Sequence, residues 1–187
     1  MYTNPSNIAK TLVQLLERNA LIINRVIQGY EPSRKLCVFE GMRKTLAASF
    51  FPSLEIEPTS GSNQWATTRA QRPRYSFNCV LTVLNDNEDY GVEYIATIMT
   101  VLAEILTDPT NLQMLVLNET VWDHRGGLLD TRILDSLVED ITYNASKDGT
   151  IRTVEFSWFA LIHEPFPESK WDVIDPEFPT VIRPRIV

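Results

Sequence analysis

The chain of 187 residues is long enough for one domain with a substantial core, or for a smaller domain with long extensions. Hydrophobic residues make up 44% and charged residues 22%, the proportions of a soluble globular protein. A net charge of −7 and a pI of about 4.9 argue against a protein that holds nucleic acid by neutralising phosphates, and suit a surface past which DNA moves without sticking.

No run of about 18 apolar residues occurs, so no membrane span is expected. The N-terminal MYTNPSNIAK has no basic stretch ahead of an apolar core, so no signal peptide is expected. Cys37 and Cys79 stand far apart in the apolar contexts LCVF and FNCVL and read as buried free thiols, which places synthesis in the cytoplasm.

In chain order, Asn4-Pro5 opens a helix, because Asn caps and Pro suits the first helical position. Ile8, Leu12, Leu15, Leu16, Leu21, Ile22 and Ile23 trace its apolar stripe, and an end between Asn24 and Gly29 is expected. Leu36–Glu40 reads as a short strand. Met42–Phe51 fits either helix or strand and stops at Pro52. Leu54–Glu57 reads as another short strand, and the polar TSGSNQWATTRAQR at 59–72 as a loop or hairpin tip.

Tyr75, Phe77, Cys79, Leu81 and Val83 alternate along a strand with one apolar face. Asn85–Asp89 is an acidic turn; acids there suit the N-terminus of the following helix. That helix reaches from Tyr90 or Glu93 to Leu106 and stops at Asp108-Pro109. Gln113–Leu117 reads as a short strand and WDHRGG at Trp122–Gly127 as a loop.

Leu137–Tyr143 and Thr150–His163 then pair through Asp148-Gly149, a favoured hairpin turn. On the second strand Val154, Phe156, Trp158, Ala160 and Ile162 form one face. The other face begins polar at Thr153, Glu155 and Ser157, then turns apolar at Phe159 and Leu161. Those two therefore need a partner beyond the helix that covers the first face.

From Glu164 the composition shifts. Pro165, Pro167, Pro176, Pro179 and Pro184 forbid a helix or central strand, yet Phe166, Trp171, Val173, Ile174, Phe178, Val181, Ile182, Ile186 and Val187 remain. A disordered linker would not hold so many large apolar groups. The segment reads as an extended arm lying along its own surface or a neighbour's. The fold class is α+β: a mixed, mainly antiparallel sheet with helices on one face, in a domain of residues 1–164 with an arm at 165–187.

The search for chemistry is mostly negative. His124 and His163 form no close pair, no nucleophile elbow or phosphate-cradling loop occurs, and Asp86, Glu88 and Asp89 lack the spacing of a calcium loop. No catalytic, metal or cofactor residue is assigned. Asp123-His124 is the best catalytic candidate by residue type, but lacks a nucleophile nearby in sequence. RAQRPR is the basic cluster, and Arg69, Arg72 and Arg74 fit either an acidic partner surface or DNA, or simply a solvated loop.

The order of RPRYSFNCVLTVLN, an acidic turn, EYIATIMTVLAEIL and LVEDITYNASKDGTIRTVEFSWFALI resembles the tail terminator, or tail completion, proteins of tailed bacteriophages. The resemblance spans Leu12 to His163 and lies in element order, not in an invariant motif. It implies no catalytic residues. It implies a homomeric ring, commonly a hexamer, that caps the tail tube, contacts tube and sheath proteins, and joins the head-side connector or stopper in the virion neck. DNA passes through such a ring without sequence-specific binding.

The long 59–74 loop and the long arm depart from the family layout. Interface candidates are Arg69, Arg72, Arg74, Phe159, Leu161, Trp171 and Phe178. The rival readings are a head–tail stopper or adaptor, a small hydrolase using Asp123-His124, and a cellular adaptor whose arm binds one partner.

Overall fold

The computed structural model describes residues 5–62, 70–71, 73–85, 88–113, 121–122, 128–129, 132–147 and 149–165. Two helices open the chain, α1 (Pro5–Arg18) and α2 (Ala20–Tyr30). The single helix expected from the sequence is broken at Asn19. Its side-chain amide donates to the Leu15 carbonyl at 3.0 Å, and the Ile22 and Ile23 N–H groups fold onto the Asn19 carbonyl.

The break leaves the helical phase almost unchanged, and Ile23 and Ile27 continue the stripe of Leu12 and Leu16 at about 3.6 residues per turn. The first helix buries Ile8, Leu12, Leu15 and Leu16, while the second buries Ile23 and Ile27. Leu21 and Ile22, expected in the buried stripe, are 84% and 55% exposed.

The strands are β1 (Cys37–Glu40), β2 (Ser53–Ser62), β3 (Ala70–Gln71), β4 (Arg74–Leu84), the small pair β5 (Val121–Trp122) and β6 (Leu128–Leu129), then β7 (Arg132–Ala145) and β8 (Ile151–Pro165). Between them come α3 (Glu88–Thr107) and α4 (Pro109–Gln113), parted at Asp108 where the sequence places the stop. In the main sheet β1, β2, β4 and β8 are neighbours in that order, and β7 flanks β8. The pairing of β1 with β2 is parallel and the other pairings are antiparallel, so the sheet is mixed.

Three short readings change. The strand at Leu54–Glu57 extends to Ser62, absorbing part of the assigned loop. Met42–Phe51 is neither helix nor strand beyond one 3-10 turn at Ala48–Phe50. Gln113 closes α4 rather than opening a strand, and the rest of that reading, 114–117, lies outside the described residues.

The hairpin joins β7 to β8 as expected. Its loop is longer than a two-residue turn: Gly149 N–H donates to the Ser146 carbonyl, and Gly149 itself takes φ of 72°.

The core lies where the sheet meets the helices. Tyr75, Phe77, Cys79, Leu81 and Val83 of β4 and Val154, Phe156, Trp158, Ala160 and Ile162 of β8 face Tyr94, Ile98, Leu102 and Leu106 of α3. Phe77 and Trp158, opposite each other in the ladder, stack with centroids 5.4 Å apart. The Tyr90–Thr107 window is long and apolar enough, at mean hydropathy 1.3, to cross a membrane by composition. Here Tyr94, Ile95, Ile98, Met99, Leu102, Ile105 and Leu106 are taken up in the core, as in the core helix of a folded domain, while Tyr90 and Val92 stay exposed.

Two polar contacts fix the helices. The last four carbonyls of a helix have no partner within it. The Leu106 carbonyl, in the last turn of α3, accepts from the Trp158 indole N–H at 3.3 Å and from the Ser136 hydroxyl. At the other end the Tyr94 hydroxyl donates to Glu31 at 2.9 Å, and the Tyr30 hydroxyl donates to Glu93 at 3.1 Å, with the two rings 5.0 Å apart.

Trp158→Phe keeps an aromatic ring in the core but removes one side-chain donor from Leu106. A stability loss of about 1–3 kcal/mol is expected, as a lower urea midpoint with unchanged slope. Burial, and then the bond to Glu31, raise the Tyr94 phenol above its ordinary value of 10.0. The folded state holds that proton more tightly, so the contribution to stability is complete below about pH 10 and is lost as pH rises toward the higher folded value. Urea midpoints measured from about pH 9 to 12 should fall more steeply for the wild-type chain than for Tyr94→Phe.

Candidate functional site

The second face of the sheet, away from the helices, is half covered. At its β1–β2 end the segment after β1 folds back over it. There Phe50 meets Phe39 edge-on at 5.7 Å, and the buried Glu55 carboxylate accepts the Arg43 N–H at 3.2 Å. Among the described residues no such segment lies over the β4–β8–β7 end, which carries the apolar residues the sequence left without a partner.

There the ladder register places Leu161 opposite Arg74, Phe159 between Ser76 and Leu137, and Ser157 opposite Glu139. Arg74 and Phe159 are thus diagonal neighbours, and the guanidinium carbon sits 4.2 Å from the ring centroid. The same guanidinium lies 3.8 Å from the Glu139 carboxylate, with both side chains nearly half exposed. In such a place the ion pair contributes about 0–1 kcal/mol and the ring contact about 0.5–1 kcal/mol. The arrangement is weak as a stabiliser. It does set apolar and charged groups side by side on one surface. Arg74 of the same chain lies over the Phe159 ring, a contact beyond the first helix, the arm or another subunit that the sequence suggested.

Beside this surface runs β7, whose far edge has no strand against it among the described residues. Leu134, Leu137, Ile141 and Tyr143 are all exposed on it. Register shifts fall between Ile133 and Asp135 and between Glu139 and Thr142, and Asp140 takes φ of 56°. Leu137, Ile141 and Tyr143 fall at period two, but the bulge between Glu139 and Thr142 puts Leu137 beside Phe159 and Tyr143 beside Val154, on opposite faces. Across from Val154, Tyr143 joins Val92 and Ile95 of α3 in lining an open groove on the helix side.

Of the other candidates from sequence, Arg69, Arg72, Trp171 and Phe178 lie outside the described residues. The backbone between the two arginines is placed, however. Ala70 and Gln71 pair with Pro165 and Glu164, the end of β8 on which Arg74 also sits. Asp123 and His124 also lie outside the described residues.

Cys79 is buried as expected, and burial pushes its thiol well up from the usual range, which makes it a poor nucleophile. Cys37 is half-buried rather than buried. It shares the register of Ser53 and Thr82, on the sheet face opposite Cys79, so the two thiols serve no common site. Among the described residues no group of three or more His, Cys, Asp or Glu side chains could hold a metal ion.

No family model matches the chain, and no curated protein matches it. Among solved structures, a chain of the virion of the native gene transfer agent (GTA) particle superposes at a TM-score of 0.59. The match covers 88% of this chain and 100% of that one, at 12% identity. A second solved chain aligns over 85% of this chain and 98% of its own at 15% identity, but its TM-score of 0.38 carries no argument. The first likeness is one of fold, and it takes in the whole of the virion chain.

The two faces of β8 should respond differently to truncation. Phe156→Ala, in the core, is expected to cost about 3–5 kcal/mol. Phe159→Ala, on the half-covered face, should cost about 1 kcal/mol, its ring contact with Arg74 being worth no more than that. Urea unfolding of the two variants beside the wild-type chain measures the contrast.

Proposed function

We propose that the chain is a structural virion protein, a tail terminator that closes as a homomeric ring on the end of a phage tail tube. The observation that carries this reading is the shared fold with a component of the GTA virion particle, over the whole length of that component. The reading gains support from the apolar end of the sheet and the edge of β7, neither covered among the described residues, since a ring subunit must bury a different surface on each flank.

An open sheet with helices on one face is neither a closed barrel nor a helical array, which favours the terminator over a stopper or an adaptor. On this reading the protein is made in the host cytoplasm and resides in the virion neck. It closes as a hexamer and touches tube and sheath on one side and the head-side connector on the other. The acidic chain, at −7, lets the genome pass without binding it. The role is structural and requires no catalytic site.

The purified chain, alone and mixed with tail tubes, is to be weighed by light scattering and imaged in negative stain. Closed rings, free or seated on tube ends, are expected. A monomer that forms no ring even on tubes would retire the proposal.

A further inference from the structure

We infer that the free edge of β7 accepts residues 168–175 of a second copy of this chain as an added strand, so that each subunit's C-terminal segment seats on its neighbour. The inference rests on the self-assembly in the reading above, and not on the terminator role.

The edge itself calls for a cover. An exposed, long, apolar edge strand is a template for unwanted pairing, and proteins blunt one with charges, above all lysine, with prolines, bulges or a covering segment. The sequence of β7, RILDSLVEDITYNA, has no lysine and no proline; its protection is Asp135, Glu139 and Asp140 and two bulges, which leave the stretch between them open. Bulges interrupt it, but Asp135–Glu139 keeps regular pairing with β8 between them. The outward backbone groups of that stretch, with Leu137 and Ile141 exposed beside them, make a docking site of strand length.

The chain supplies a matching strand. Beyond Pro165 stand 22 residues, 166–187, interrupted by Pro167, Pro176, Pro179 and Pro184. A strand needs about 4–8 residues, and proline cannot donate to a ladder. The longest proline-free window is 168–175, ESKWDVID. At period two Trp171 and Val173 fall on one face of it, which can extend the apolar row of Leu137, Phe159 and Leu161.

Chain length favours the neighbour over the subunit's own edge. The end of β8 lies where β7 begins, His163 pairing with Arg132. To reach the outer side of its own β7, the chain must climb over that strand to a line two strand spacings away, about 9–10 Å. Only Phe166 and Pro167 separate Pro165 from the window, and three Cα steps span at most about 11 Å when fully stretched. A strand that uses the whole window has no slack left for the crossing. A head-to-tail exchange carries no such limit and can close a ring.

The test uses full-length chains that each lose one half of the contact. Val173→Pro disables the strand and keeps the edge. Leu137→Lys with Ile141→Lys disables the edge and keeps the strand. By light scattering the wild-type chain should assemble, and each variant alone should fall to a monomer of 21.4 kDa. An equal mixture should stop at a dimer, because one working strand meets one working edge.

A mixture that stays monomeric would place the segment on its own subunit and overturn the inference, as would variants that assemble like the wild type. Hydrogen exchange on the wild-type assembly gives a readout free of substitutions. The outward amides of Asp135–Glu139 should be protected there and lose protection on dilution to monomer; fast exchange in the assembly would overturn the inference. Tube-capping rings formed equally well by both variants would leave the terminator reading standing without this contact. Strand-linked dimers or open chains with no affinity for tubes would do the reverse.

Discussion

The carbonyl of Leu106 is the point on which the two layers depend. It belongs to the last turn of a helix, where no backbone donor is left, and it is enclosed by the core. Its donors come from β8 and from β7, through Trp158 and Ser136. One buried acceptor therefore ties the last turn of the long helix to both of the last two strands. Leaving such a group unsatisfied costs about 1–3 kcal/mol, a large share of the margin of a typical domain.

With Trp158 and Ser136 turned toward the helix, alternation along each strand turns Phe159 and Leu137 away from it. The outer face of the sheet at this end is thus an outcome of the inner packing. It is apolar where it emerges, and the protein covers it only in part, by laying Arg74 over Phe159 with Glu139 beside it. The segment after β1 covers the other end of the same face. Among the described residues nothing more covers this end or the adjoining edge of β7, and assembly is the use proposed for both.

Much of this was legible in the residues. The alternation from Tyr75 to Val83 and from Val154 to Ile162, and the apolar face of α3, mark long elements whose pattern no local feature interrupts. The Asp108-Pro109 stop and the Gly149 turn rest on backbone chemistry that acts at short range. The failures have separate causes. At about 3.6 residues per turn Leu21 falls opposite the stripe of Leu12, Leu16, Ile23 and Ile27 and Ile22 at its edge, so apolar character alone placed them inside. In β7 the bulge between Glu139 and Thr142 sends Leu137 and Tyr143 to opposite faces, which even alternation does not foresee. The cover of Phe159 by Arg74 was out of reach for another reason, since 85 residues separate them and only the strand register makes them neighbours.

A density map of the assembled full-length chain, at a resolution that traces backbone, tests the central claim most directly. The account predicts a closed ring in which the outer face around Arg74 and Phe159 and the edge of β7 are both buried between subunits. A ring, or any other stable assembly, that leaves both of those surfaces in solvent would contradict it.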